Sequence, residues 1–139
     1  MAFTLKAEGA NSFDLTDDTL DSLEFENMPD GYNARDTYQT LAVSGRICPV
    51  TDGEVKDNII GAAKWSLVPA VLHTAYQKIT ATAATAGQAT CIYEFSLGFV
   101  VSYREKFTDQ SGVGSFAMAI RQKKDLLGQV KIRGGYVAE

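Results

Sequence analysis

Residues that carry chemistry are scarce in this chain of 139 residues, which holds one histidine, His73, and two cysteines, Cys48 and Cys91. A Ser-His-Asp or Cys-His arrangement would have to use His73, yet no nucleophile elbow or cysteine-protease signature accompanies it. His73 therefore reads as a structural or surface residue. One histidine and two isolated cysteines cannot build a zinc site of the usual kinds. The acidic stretch at 14–21 lacks the Asp-x-[Asp/Asn]-x-[Asp/Asn]-Gly spacing of a calcium loop and reads as solvated loop. Gly87, Gly98, Gly112, Gly114, Gly128, Gly134 and Gly135 punctuate strands and form no phosphate loop. No catalytic, metal or cofactor-binding residue is assigned, and no enzyme is expected. A carboxylate-dependent hydrolase stands as an alternative only because Asp and Glu are numerous; they concentrate where burial perturbs a pKa least. The other alternative is a monomeric ligand-binding β-barrel.

Long apolar runs are also missing. None approaches the roughly 20 residues of a transmembrane helix, so no membrane insertion is expected. The opening Met-Ala-Phe-Thr-Leu-Lys lacks the basic-then-apolar layout of a signal peptide. The expectation is synthesis in the cytoplasm, with any export left to a dedicated machine. Cys48 and Cys91 lie in apolar surroundings without CxxC spacing and read as small buried thiols, their pairing left open.

A third absence concerns charge. Between Lys6 and Arg35 there is no basic residue, while Glu8, Asp14, Asp17, Asp18, Asp21, Glu24, Glu26 and Asp30 all fall in that gap. The later part reverses the sign with Arg104, Lys106, Arg121, Lys123, Lys124, Lys131 and Arg133. Two solvated faces would suffice to explain this. Opposite patches that meet between copies of one chain would explain more, because complementary head-to-tail contacts build rings or filaments. With a formal net charge of −4 and no recognisable binding motif, a nucleic-acid partner is not expected.

What the chain does have is β-structure. Hydrophobic residues make up 45% and charged residues 22%, an ordinary balance for one globular domain spanning 1–139. Runs at 76–85, 88–95, 98–107, 113–123 and 129–133 are rich in β-branched and aromatic residues and are separated by turn signals. Earlier, Phe3, Leu5 and Ala7 alternate with polar residues as in a half-buried strand, and further strands are expected at 22–27 and 38–48. Residues 11–18 read as polar turn. An extended loop of about ten residues is expected at 28–37, long enough by loop statistics to suggest a role. One helix is expected at about 54–67. Thr51 or Asp52 can cap it, Ile59, Ala62, Ala63 and Leu67 form its apolar stripe, and Pro69 stops it. Trp65 near its end reads as a core or rim plug.

The order of these elements carries a resemblance. The helix leads into Tyr76-Gln77-Lys78-Ile79-Thr80-Ala81, then Ile92-Tyr93-Glu94-Phe95-Ser96-Leu97-Gly98-Phe99-Val100-Val101-Ser102-Tyr103, then Gly114-Ser115-Phe116-Ala117-Met118-Ala119-Ile120. This resembles the haemolysin-coregulated protein family, the tube subunits of type VI secretion systems, over about residues 52–124 and by layout before that. Tail-tube proteins of contractile phages and extracellular injection systems look like relatives. Gly98 in place of the family's small turn residues, the added segment at 131–136 and the acidic first quarter are departures.

The resemblance implies a mainly β protein: a compact β-barrel of two packed antiparallel sheets with one α-helix on its side. It also implies six-membered rings that stack into a hollow tube of a contractile apparatus, outside the cell where that apparatus is exported. The partner is then the chain itself, with sheath, spike or small effector proteins beyond it. Interface residues are expected in the 28–37 loop and the basic stretch, namely Asp30, Gly31, Tyr32, Asn33, Arg35, Asp36, Lys123 and Lys124, because Tyr and Arg are favoured at interfaces.

Overall fold

The computed structural model describes residues 2–29, 37–47, 59–85, 88–109, 113–123 and 130–134. Its strands are β1 (Ala2–Glu8), β2 (Phe13–Leu15), β3 (Leu20–Pro29), β4 (Thr37–Ile47), β5 (Gln77–Thr85), β6 (Gln88–Lys106), β7 (Gly114–Gln122) and β8 (Lys131–Gly134). One helix, α1 (Ile59–Ser66), and a 3₁₀ turn, His73–Ala75, stand between β4 and β5. The strands form one antiparallel sheet in the order β2-β1-β5-β6-β7-β4-β3, with β8 added on β6.

The runs expected at 88–95 and 98–107 are a single strand of 19 residues, and that strand organises the fold. Its first half pairs with β5 and β8, its second half with β7. The change of partner falls at Gly98, opposite Gln77 on β5 and Gln122 on β7. Register shifts flank it, between Gln77 and Ile79 and between Val100 and Ser102, and such bulges bend and twist a sheet. A Cβ on residue 98 would lie 2.9 Å from Ile120 Cγ2 and 3.0 Å from Ile79 Cγ1. The two half-sheets close over this glycine.

Alternation supplies the core. Leu5 and Ala7 of β1, Phe13 and Leu15 of β2, Leu41 and Val43 of β4, Ile79 and Ala81 of β5, Phe95 of β6, and Phe116, Met118 and Ile120 of β7 are all buried. Two glutamines are buried with them, each accepting a hydrogen bond from a backbone N–H. Gln122 Oε1 accepts from Leu97 N at 3.2 Å while its Nε2 donates to Ser96 Oγ at 2.9 Å. Gln77 Oε1 accepts from Asn11 N at 2.8 Å.

Helix α1 covers one opening of the core. Ala62 and Trp65, three residues apart, share its buried face. The Trp65 ring packs 5.7 Å from that of Phe13, and its Nε1 donates to Ala75 O at 2.7 Å, so the expected plug is in place. The helix closes with i→i−3 bonds from Leu67 N to Lys64 O and from Val68 N to Trp65 O, just ahead of Pro69.

Several expectations need correction. Residues 11–18 contain strand β2, hidden from composition because its three residues hold one charge between two core side chains. Leu67 is not part of the helix stripe; it lies past the last helical residue and is 81% exposed. Met28 and Pro29 end β3 and Thr37 opens β4, paired Met28↔Tyr38 and Pro29↔Thr37, so the ten-residue loop is shorter than expected at both ends. Cys91 is a half-buried free thiol, not a buried one. Cys48, Thr51, Asp52 and Glu54 lie outside the described residues.

Candidate functional site

Four neighbouring strands, β3, β4, β7 and the second half of β6, present one outward face. Cross-strand pairing sets it out in rows. Glu26, Thr40, Arg121 and Phe99 form one row; Glu24, Ala42, Ala119 and Ser102 the next; Ser22, Ser44, Ala117 and Arg104 the third. Arg46, Ser115 and Lys106 continue the series. Between Arg121 at one end and Arg46 at the other, the middle of the face is Ala, Ser and Thr, with an open groove of about 390 Å³ bordered by Glu24, Ser44, Ser102 and Ala119. Ser22 and Ser44 hydrogen-bond across it at 2.5 Å.

The two margins of this face differ in sign. Among the described residues β3 is an end strand, hydrogen-bonded on one side to β4 only. It carries Asp21, Glu24 and Glu26, all exposed. On the other margin, the second half of β6 pairs, among the described residues, with β7 alone and carries exposed Arg104 and Lys106. Glu105 points to the opposite face by alternation, where its Oε1 accepts from the Tyr103 hydroxyl at 2.5 Å. Burial, and then that hydrogen bond to Glu105, push the Tyr103 phenol well above its usual range. Tyr103 stays neutral and holds Glu105 away from the basic pair.

Not every basic residue contributes to this polarity. Arg133 pairs with Glu94 at 3.4 Å within the chain, and Lys78, Lys131 and Arg133 share a separate groove on the β5-β6-β8 side with that one carboxylate. On the four-stranded face the asymmetry sets β3 against the second half of β6, while a further basic cluster lies on the β5-β6-β8 side.

The strand ends carry a second kind of surface. At the β7 C-terminal end the Arg121 guanidinium lies 4.0 Å over the Tyr38 ring, and Lys123 Nζ lies 5.4 Å from the Tyr76 ring centroid. Tyr76 meets Phe99 edge-on at 5.7 Å. At the other end of β7 the Phe107 ring covers Gly114, where a Cβ would stand 2.4 Å from ring atom Cε1, and Phe107 is itself 66% exposed.

Of the expected interface residues, Lys123 is placed directly after β7; its N donates to Leu97 O at 2.8 Å and its ammonium faces Tyr76. Asp30, Gly31, Tyr32, Asn33, Arg35, Asp36 and Lys124 lie outside the described residues. His73 is exposed at the start of the 3₁₀ turn. Among the described residues no three His, Cys, Asp or Glu side chains converge on a point that could hold a metal, and no helix is long and apolar enough to cross a membrane. Sequence reasoning counted Arg104, Lys106 and Arg121 as charge but missed their placement. Strand alternation and register separate Arg104 and Lys106 from Glu105, and register could have been found only by locating the change of partner at Gly98.

No protein-family model and no curated protein matches the sequence. Solved structures do. One chain of the six-fold symmetrised anti-feeding prophage baseplate is similar over 97% of this chain and 94% of that one, with 9% identity and a TM-score of 0.54. A chain of the sheath-tube complex of the extracellular contractile injection system PVC, in its extended state, is similar over 95% and 88%, with 11% identity and a TM-score of 0.52. A type six secretion system protein is similar over 86% and 78%, with 13% identity and a TM-score of 0.53. The chain has the mainly β, one-helix, tail-tube-like fold found in these assemblies.

Proposed function

We propose that this chain is a structural, non-catalytic subunit that joins copies of itself into six-membered rings, and that the rings stack into the hollow tube of a contractile injection apparatus. One observation carries the reading: two strand edges left unpaired among the described residues bound the same four-stranded face, one acidic on β3 and one basic on β6. An open edge is a row of unpaired N–H and C=O groups that invites another strand. Charge of opposite sign on the two edges favours β3 of one copy against β6 of the next and disfavours like against like. The contact is head-to-tail, so repetition closes a ring or propagates a filament.

The number six and the tube come from the resemblance and from the company of the fold's neighbours, one in a six-fold symmetrised baseplate and one in a sheath-tube complex. On this reading a sheath is a further partner, and the particle acts outside the cell that makes it. Asp30, Gly31, Tyr32, Asn33, Arg35, Asp36, Lys123 and Lys124 remain proposed contacts between subunits; Lys123 directly follows β7, with its ammonium over Tyr76. Light scattering with negative-stain microscopy tests the reading. Rings of about 90 kDa, six copies of a 15.0 kDa chain, are expected, together with stacks of them. A monomer at every concentration would refute it.

A further inference from the structure

We propose that the turn after β6, carrying Phe107 and Asp109, seats on the Tyr38–Arg121 and Tyr76–Phe99 cluster at the opposite strand ends of a second copy. The contact rests on the tube reading and deepens it, since it names the surfaces through which one ring meets the next.

The two surfaces lie at opposite ends of the same strand. Phe107 covers Gly114 at the start of β7, and Arg121 stands seven residues further on, about 23 Å away in extended chain. If strand edges join copies sideways, strand ends are left to join them along the tube. The two ends are complementary. One offers a large ring that is 66% exposed and, two residues on, an exposed carboxylate. The other offers an edge-on aromatic pair as a floor and a guanidinium held over Tyr38.

Arg121 is also poised to receive a carboxylate. Among the described residues its Nε is buried without a hydrogen-bond partner, as is the hydroxyl of its cross-strand neighbour Thr40. That Nε has no exposed surface, so an incoming carboxylate meets the terminal N–H groups of the same guanidinium in charge-assisted bonds. Tyr38 fixes the plane of the guanidinium, so its donors point in set directions. An exposed phenylalanine beside such a site gains area by docking between rings, while an aromatic and an arginine at the centre of a contact are the residue types that dominate binding.

The test measures stack length and ring mass separately. Phe107→Ser, and separately Asp109→Arg, are expected to give rings of parental mass whose stacks are shorter by about tenfold or more, consistent with losing a dominant contact. Asp109→Arg combined with Arg121→Asp restores length, which a folding defect would not allow. Stacks of parental length in both single variants overturn the contact. A second measurement holds whether or not rings form. In a Cys48→Ser, Cys91→Ser background, Asp109→Cys protein mixed with Arg121→Cys protein should oxidise to a mixed disulfide that neither forms alone. That product, with a parent that makes no rings, would sink the tube reading and leave this contact standing; no such product from the mixed variants, with a parent that stacks, would overturn the contact alone.

Discussion

Gly45 and Thr19 approach so closely that a Cβ on residue 45 would lie 1.8 Å from the Thr19 carbonyl oxygen. The same oxygen accepts from Arg46 N at 2.9 Å, and it enters β3 just where the register shifts between Leu20 and Ser22. The obstruction is backbone, which cannot rotate aside like a side chain. Gly45→Ala should therefore destabilise the chain by about 3 kcal/mol or more or prevent folding, whereas Gly98→Ala, which meets two isoleucine side chains, should cost about 1–3 kcal/mol. Urea titrations of the two variants measure the difference.

Trp65 ties α1 to the turn before β5. Trp65→Phe keeps the ring against Phe13 but leaves the Ala75 carbonyl without its donor, for an expected loss of about 1–3 kcal/mol. Trp65→Ala also opens a cavity and should lose about 3–5 kcal/mol. A Trp65→Phe protein as stable as the parent in chemical denaturation would mean the hydrogen bond contributes nothing.

Alkaline stability depends on Tyr103. Its folded-state pKa lies above the unfolded value of 10.0, so folded protein holds the proton longer than unfolded chain. Stability is then whole below pH 10 and falls as pH rises above it. Tyr93 is raised too, by its hydrogen bond with Cys91 and then by burial, so Tyr103→Phe removes part of the fall and not all of it. Denaturation midpoints taken either side of pH 10 should diverge less in Tyr103→Phe than in the parent.

Much of the fold was legible because its strands alternate. Leu41 and Val43, Ile79 and Ala81, Met118 and Ile120 declare a buried face by spacing alone. The helix around Trp65 was legible from apolar periodicity and from Pro69. Strand β2 was not, since three residues are too few for a period to show. The unity of β6 was not either: a glycine in mid-strand reads as a turn until one knows that Ile79 and Ile120 press on it from both sides. For the site, sequence showed that acid and base segregate. Only pairing showed that β3 and β6 bound a single face, and that Arg133 pairs within its own chain.

His73 is exposed in the 3₁₀ turn, and its backbone carbonyl accepts from Tyr76 N at 3.3 Å, a bond any residue could make. His73→Ala should assemble as the parent does and lose no more than about 1 kcal/mol. A hydrolytic activity that disappears in this variant while assembly persists would contradict the structural role.

The claim that acidic and basic edges join copies is tested most directly by sedimentation velocity on edge-reversed proteins. The parent should sediment as a ring near 90 kDa, six times 15.0 kDa, and Arg104→Glu with Lys106→Glu should shift it toward the 15.0 kDa monomer. Exposed charge pairs contribute only about 0–1 kcal/mol each, so the shift should grow as salt is lowered, where like charges on facing edges repel hardest. Adding Glu24→Lys and Glu26→Lys to the same chain exchanges the signs of both edges and should restore the ring. Rings undiminished by the first reversal, or not recovered by the second, would contradict the account.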